Sequence, residues 1–205
     1  MICIVDYGSG NVSALMNVFK RRRIKHFVSG EPSRLSEADR FLLPGVGAFD
    51  PTMRQLRDSG ILDALSEEVM GKGKRVLGIC VGMHLLAERS EEGELPGLGW
   101  IPGTVRKIDT SALTGPPYLP HMGWNGVEPV AETGLFNGVS RERGFYFLHS
   151  YFFDATREND IAARVDYGGL FPCAVEHENV AGVQFHPEKC HTNGVTLLQN
   201  FAELA

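Results

Sequence analysis

The sequence predicts an α/β fold: one domain over residues 1–205, with a mostly parallel central sheet, flanking helices and added antiparallel strands. Three observations lead there. Short apolar runs alternate with helical spacing through the first half, short aromatic or alternating runs replace them after Trp100, and no linker, repeat or low-complexity tract divides the chain.

The elements follow in order. Ile2 to Val5 reads as a buried strand, and Val12, Leu15, Met16 and Phe19 recur at the spacing of a crossover helix. Lys25 to Val28, Arg40 to Leu43 and Arg75 to Ile79 are further strands, with helices near 51–70 and 82–89. In the second half Phe145 to Leu148, Ile161 to Val165 and Val180 to Phe185 read as antiparallel strands joining the same sheet. A last helix, from about Gly194 to Leu204, presents Val195, Leu198 and Phe201 on one face. Thr114-Gly-Pro-Pro117 suggests an exposed loop.

Composition narrows the class. Hydrophobic residues at 43% and charged residues at 22% are ordinary globular usage, and 205 residues suffice for one sizeable core. A formal net charge of −5 argues against a nucleic-acid partner. Lys20 to Arg23 is a basic run, but it ends a helix, where cations complement the dipole. The chain start resembles no signal peptide and no apolar run approaches membrane length, so a cytoplasmic protein without membrane contact is expected. The four cysteines, Cys3, Cys80, Cys173 and Cys190, lack C-x-x-C spacing, which favours free thiols.

One cysteine stands apart. Gly78-Ile-Cys-Val-Gly82 follows an apolar strand and precedes a helical stretch, the setting of a nucleophile elbow, with Cys80 as nucleophile. Flanking glycines permit the sharp turn, and the helix N-terminus favours the reactive thiolate by roughly 0.3–1 kcal/mol. The alternative is a small buried residue ending a strand, the usual fate of a free cysteine.

A cysteine hydrolase needs a histidine to move protons. Only His186 has a carboxylate at a telling spacing: in His186-Pro187-Glu188 extended backbone sets residues two apart on one side, so Glu188 can hold one imidazole nitrogen while the other faces Cys80. A solvated strand end is the competing reading. No zinc spacing fits the nearby Cys190 and His191, so neither metal nor cofactor is implied. Leu43-Pro-Gly-Val-Gly-Ala-Phe49 follows another strand. Backbone amides at Gly45, Val46 and Gly47, together with that of Val81, are candidates to hold an oxyanion, although a tight strand-to-helix turn has the same composition.

Taken together, Gly78-Ile-Cys-Val-Gly82, Gln184-Phe-His-Pro-Glu-Lys189 and Pro44-Gly-Val-Gly47 resemble the signatures of class I triad glutamine amidotransferases, a flavodoxin-like α/β family. More narrowly, Asp6-Tyr-Gly-Ser-Gly-Asn11, Ser90-Glu-Glu-Gly93, Gly97-Leu-Gly99, Pro120-His-Met-Gly-Trp-Asn125 and Tyr146-Phe-Leu-His-Ser-Tyr151 are similar to the glutaminase subunits of imidazole glycerol phosphate synthases. The resemblance implies that Cys80 forms a glutamyl thioester, that His186 and Glu188 complete the triad, and that Gly47, Ser150 and Tyr151 contact glutamine. It implies as partner a (β/α)8-barrel synthase of histidine biosynthesis that receives the ammonia. Asn11, Pro120, Met122, Trp124 and Lys189 are the expected interface residues. Position 84 departs from the family: His84 stands where glutamine is usual, so altered glutamine binding is expected. Two other readings stay open, an ammonia-supplying paralogue for amidino-sugar synthesis and a non-catalytic partner-binding subunit; an elbow-cysteine peptidase or deglycase is disfavoured by the His-Pro-Glu pair.

Overall fold

The computed structural model describes residues 1–112, 118–130 and 133–204. The expected loop at Thr114 to Pro117 lies outside them. Its strands are β1 Ile2–Val5, β2 His26–Ser29, β3 Arg40–Gly45, β4 Arg75–Cys80, β5 Arg89–Ser90, β6 Gly103–Lys107, β7 His121–Asn125, β8 Glu128–Pro129, β9 Phe145–His149, β10 Tyr151–Ala155, β11 Ile161–Asp166, β12 Leu170–His177 and β13 Val180–Val183. The α-helices are α1 Val12–Arg22, α2 Phe49–Asp58, α3 Leu62–Ser66, α4 Val81–Leu85 and α5 His191–Glu203.

The main sheet has the order β2-β1-β3-β4-β13-β12-β11-β8. From β2 to β13 neighbours run parallel, and β12, β11 and β8 are added antiparallel. β1 and β13 are buried along their whole length and β3 from Phe41 onward, as strands covered on both faces must be, which explains their continuous apolar runs. Phe19, Phe41, Phe49, Phe185 and Phe201 are among the largest fully buried side chains of the core.

Four expectations are corrected. Val180 to Phe185, expected as an antiparallel addition, runs as β13 parallel to β4 and is antiparallel only to its other neighbour, β12. Phe145 to Leu148 does not join the main sheet: β9 pairs with β7 in a separate two-stranded ribbon, and β10, β6 and β5 form a third sheet. Aromatic alternation marks a half-buried strand but not its partner. The helix expected over 51–70 is broken, because Gly60 takes a left-handed φ of 71° between α2 and α3, and the second piece ends in a wider π-type turn over Glu67–Gly71. The helix expected over 82–89 ends at Leu85, after which the chain enters β5. The basic run behaves as expected: Lys20, Arg21 and Arg22 fill the last turn of α1, and Arg23 closes it in the left-handed region. Among the described residues, no helix is long and apolar enough to cross a membrane.

Candidate active site

The carboxyl ends of β1, β3, β4 and β13 converge on one side of the sheet, where ligands of open parallel sheets bind. A cavity of about 350 Å³ opens there, lined by Val46, Gly47, Cys80, Val81, His84, Glu92, Pro120, Leu148, His149, Ser150, Tyr151, His186 and Lys189. Residues far apart in sequence, from strands β4, β9 and β10, helix α4 and the segments that connect the strands, therefore share one space.

Cys80 sits between β4 and α4 with φ 55° and ψ −113°, a backbone conformation that residues with a Cβ rarely adopt. The local glycines explain how the turn is held so tightly. A Cβ at Gly82 would lie 1.9 Å from the Leu43 carbonyl oxygen, and one at Gly78 would lie 2.6 Å from the Gly82 carbonyl oxygen. Without those Cβ atoms, α4 seats directly on β3 and β4, with Cys80 at its N-terminal end, where the helix dipole favours negative charge. Cys80 is only 4% exposed. Burial pushes the thiols of Cys3 and Cys190 up to about 12 and that of Cys173 higher still, which leaves them protonated and inert.

His186 follows β13, which pairs in parallel with β4, so it is delivered beside Cys80. Its Nδ1 is 3.0 Å from Glu188 Oε1. Burial alone would lower this imidazole, but hydrogen bonds and charge attraction to Cys80 and Glu188 outweigh it and raise His186 to about 10. That favours an imidazolium held between two acceptors. The loop is braced from behind: Cys190 donates its S–H to the His186 carbonyl at 2.8 Å and accepts from the Tyr146 amide at 3.1 Å.

The Pro44 to Gly47 loop faces Cys80, but its amides are not all free. The Val46 N–H donates to Ser9 Oγ at 3.1 Å, the Ser9 hydroxyl returns a bond to the Val46 carbonyl, and the Tyr7 hydroxyl donates to the Pro44 carbonyl. Expected as an oxyanion donor, Val46 has its amide tied to the β1–α1 turn in this conformation. Gly47, with φ 96°, lines the cavity, whereas Gly45 lies against the start of α4, where a Cβ would meet the Gly82 nitrogen at 2.4 Å.

His84 is buried, and its Nε2 bonds Gln184 Oε1 at 2.7 Å. Ser150 and Tyr151 line the wall contributed by β9 and β10. Glu92, which reasoning from sequence did not single out, is half-buried in the same cavity and accepts from the Phe49 amide at the start of α2. Desolvation raises its pKa, against that bond. The signal was present in Ser90-Glu-Glu-Gly93, but only tertiary contact distinguishes Glu92 from Glu91, which binds Arg106 on the surface.

The expected interface residues separate. Met122 and Trp124, on β7, are 65% and 51% exposed beside exposed Leu148 on β9, and Trp124 stacks on the ring of His191. Trp124 is thus on the surface. Pro120 and Lys189 line the cavity, with Lys189 Nζ 5.3 Å above the Tyr146 ring. Asn11 is exposed, and its side chain caps α1 by accepting from the Ala14 amide. No group of histidine, cysteine or acidic residues among the described residues could hold a metal ion.

Comparison with known proteins places this arrangement. The family profile described as glutamine amidotransferase class-I matches residues 3–204. The chain is 50% identical over 204 residues to imidazole glycerol phosphate synthase subunit HisH of Bdellovibrio bacteriovorus, and 46% identical over 204 residues to the HisH subunit of Leptospira interrogans. Each match covers 100% of both chains. Among solved structures, one described as a glutamine amidotransferase superposes with a TM-score of 0.73 at 21% identity, over 99% of this chain and 98% of that one, which supports the fold.

Proposed function

The chain belongs to the class-I glutamine amidotransferase family, and from that premise we propose that it is the glutaminase subunit of an imidazole glycerol phosphate synthase in histidine biosynthesis, working through Cys80, His186 and Glu188 as one domain spanning residues 1–205. The observation that carries the reading is the left-handed Cys80 at the head of α4, in one cavity with an imidazole that Glu188 orients.

The chemistry follows from the geometry. The Cys80 thiolate attacks the side-chain carbonyl carbon of glutamine, and the carbonyl oxygen gains the charge. Amides at the start of α4, that of Val81 first, stabilise it, with Gly47 on the opposite wall. His186 gives its proton to the departing nitrogen, so ammonia leaves and a glutamyl thioester remains. Water then adds as His186 takes its proton, glutamate departs and the thiolate returns. Glu188 keeps the imidazole oriented and stabilises its charged form. Glu92 provides the negative charge that the α-ammonium of an amino-acid substrate requires, and Ser150 and Tyr151 frame the same end.

Ammonia is mostly ammonium in neutral water and then no nucleophile, so a synthase gains by receiving it through an enclosed path. The exposed apolar edge formed by Met122, Trp124 and Leu148 beside the cavity mouth fits a docking face for a (β/α)8-barrel subunit, with tryptophan a favoured anchor. The Ser9–Val46 bonds support an isolated chain of low activity, since they withhold one oxyanion donor until the loop rearranges. The names of the relatives favour the histidine-pathway acceptor over an amidino-sugar one. The test is glutamate release by the chain alone and with a ligand-loaded barrel synthase. Strong stimulation is expected; full activity alone would overturn the proposed coupling, and none in either state the glutaminase assignment.

A further inference from the structure

Helix α2 begins without a cap of its own, because Ala48 precedes it and offers no side-chain acceptor. Its first turn meets residues 90–95, the turn after β5, instead. The Phe49 N–H donates to Glu92 Oε2 at 2.9 Å. In return Asp50, the second residue of α2, takes two amides of that turn: the Glu94 N–H donates to Oδ2 at 3.2 Å and the Leu95 N–H to Oδ1 at 3.1 Å. The contact is close. A Cβ at Gly93 would lie 1.9 Å from Asp50 Oδ1, so the turn folds down on the carboxylate only with glycine there. The chain on the other side of Glu92 is tied as well, since Ser90 Oγ accepts from the Glu92 N–H at 3.0 Å and Glu91 Oε2 from the Lys107 N–H at 2.9 Å. The Asp50 side chain is only 16% exposed, with Arg54 3.4 Å from its Oδ2. Two amides that lost this acceptor would be poorly served by solvent, which gives Asp50 a firm hold on the turn. Glu92 is the one residue of the turn that lines the cavity, and its charge, after burial, helps to raise the pKa of Tyr151 on the facing wall.

We propose that Asp50 is a positioning residue for substrate binding: by gathering the amides of Glu94 and Leu95 it holds the Glu92 carboxylate at the end of the cavity that receives the α-ammonium of glutamine. The inference rests on the glutaminase reading and on the role given there to Glu92. Asp50 is not among the residues lining the cavity, so it acts through the turn. Its charge acts in the same direction. Burial raises the Glu92 carboxyl first and the Phe49 bond opposes it, while the nearby negative charge of Asp50 raises it further, as a second carboxylate does when it adds to the negative potential of a site. A cation arriving at Glu92 meets the field of both.

With the full chain and its barrel subunit, kcat and KM for glutamine are measured in wild type, Asp50→Ala, Glu92→Gln and the double variant. Asp50→Ala should raise KM about tenfold and leave kcat within about threefold, because a contact to the α-ammonium is made equally in the ground and transition states. In the Glu92→Gln background the same change should raise KM by less than about threefold, since no charge remains to be positioned. A tenfold effect that persists without the Glu92 charge, a wild-type KM in Asp50→Ala, or a loss that falls on kcat would overturn the proposal. Where Asp50→Ala fails to fold, Asp50→Asn supplies the test: it keeps the shape and one acceptor but sets its own N–H groups against the second amide, so KM should rise severalfold at retained kcat, and a wild-type KM would again overturn the proposal. A wild-type complex that does not hydrolyse glutamine sinks the glutaminase reading, and a wild-type KM in Glu92→Gln sinks the ammonium site; this inference falls with either. A raised KM in Glu92→Gln beside a wild-type KM in Asp50→Ala sinks this inference alone.

Discussion

Replacing Cys80 by glycine should leave the chain more stable than replacing it by alanine, inverting the usual order of those two residues. At φ 55° and ψ −113° a residue with a Cβ stores strain of about 1–3 kcal/mol. Glycine relieves it but loses about 0.4–1 kcal/mol through the greater freedom of its unfolded chain. Both variants lack the sulfur, so lost packing largely cancels between them, and about 1 kcal/mol remains in favour of glycine. For a chain of this size that is a difference of about 2–4 °C in Tm. Urea unfolding read by circular dichroism supplies the comparison, with glutamate release expected to be absent in both variants. A Cys80→Gly protein less stable than Cys80→Ala would refute the claim that the nucleophile is held in a strained turn. The close packing at Gly78 and Gly82 would then have no strained turn to hold in place.

Three further outcomes are expected. His186→Ala should lower kcat/KM by about 10⁴ or more, while Glu188→Gln, which keeps the shape but not the charge, should cost less, about 10²; equal losses in stopped assays of glutamate release would refute the division of labour between base and supporting carboxylate. Trp124→Ala should weaken barrel binding by about 2 kcal/mol without altering the fold of the free chain, and unchanged affinity by calorimetry would remove Trp124 from the interface. Ser9→Ala should free the Val46 amide and raise partner-independent glutaminase activity, by up to about 10² if that amide becomes an oxyanion donor; no increase would mean that the Ser9 bonds do not limit the resting chain.

What could be read from the sequence alone was local. The left-handed turn at Cys80 needs glycines two positions to either side, so Gly78 and Gly82 identify it within five residues. The His186–Glu188 contact spans two residues, and extended backbone sets its geometry. Parallel strands buried on both faces must be apolar throughout, which made β1, β3 and β4 visible. Contacts between distant residues were decided by the tertiary structure. Aromatic alternation in β9 could not tell which strand it would pair with, and the answer was β7 rather than the main sheet. Ser9 reaches Val46 across 37 positions, and His84 meets Gln184 across 100. Glu92 differs from Glu91 only in which way the turn after β5 points it. A side chain's hydrogen-bond partners depend on where the backbone of another element passes within about 3 Å, and spacing along one segment carries no information about that distance.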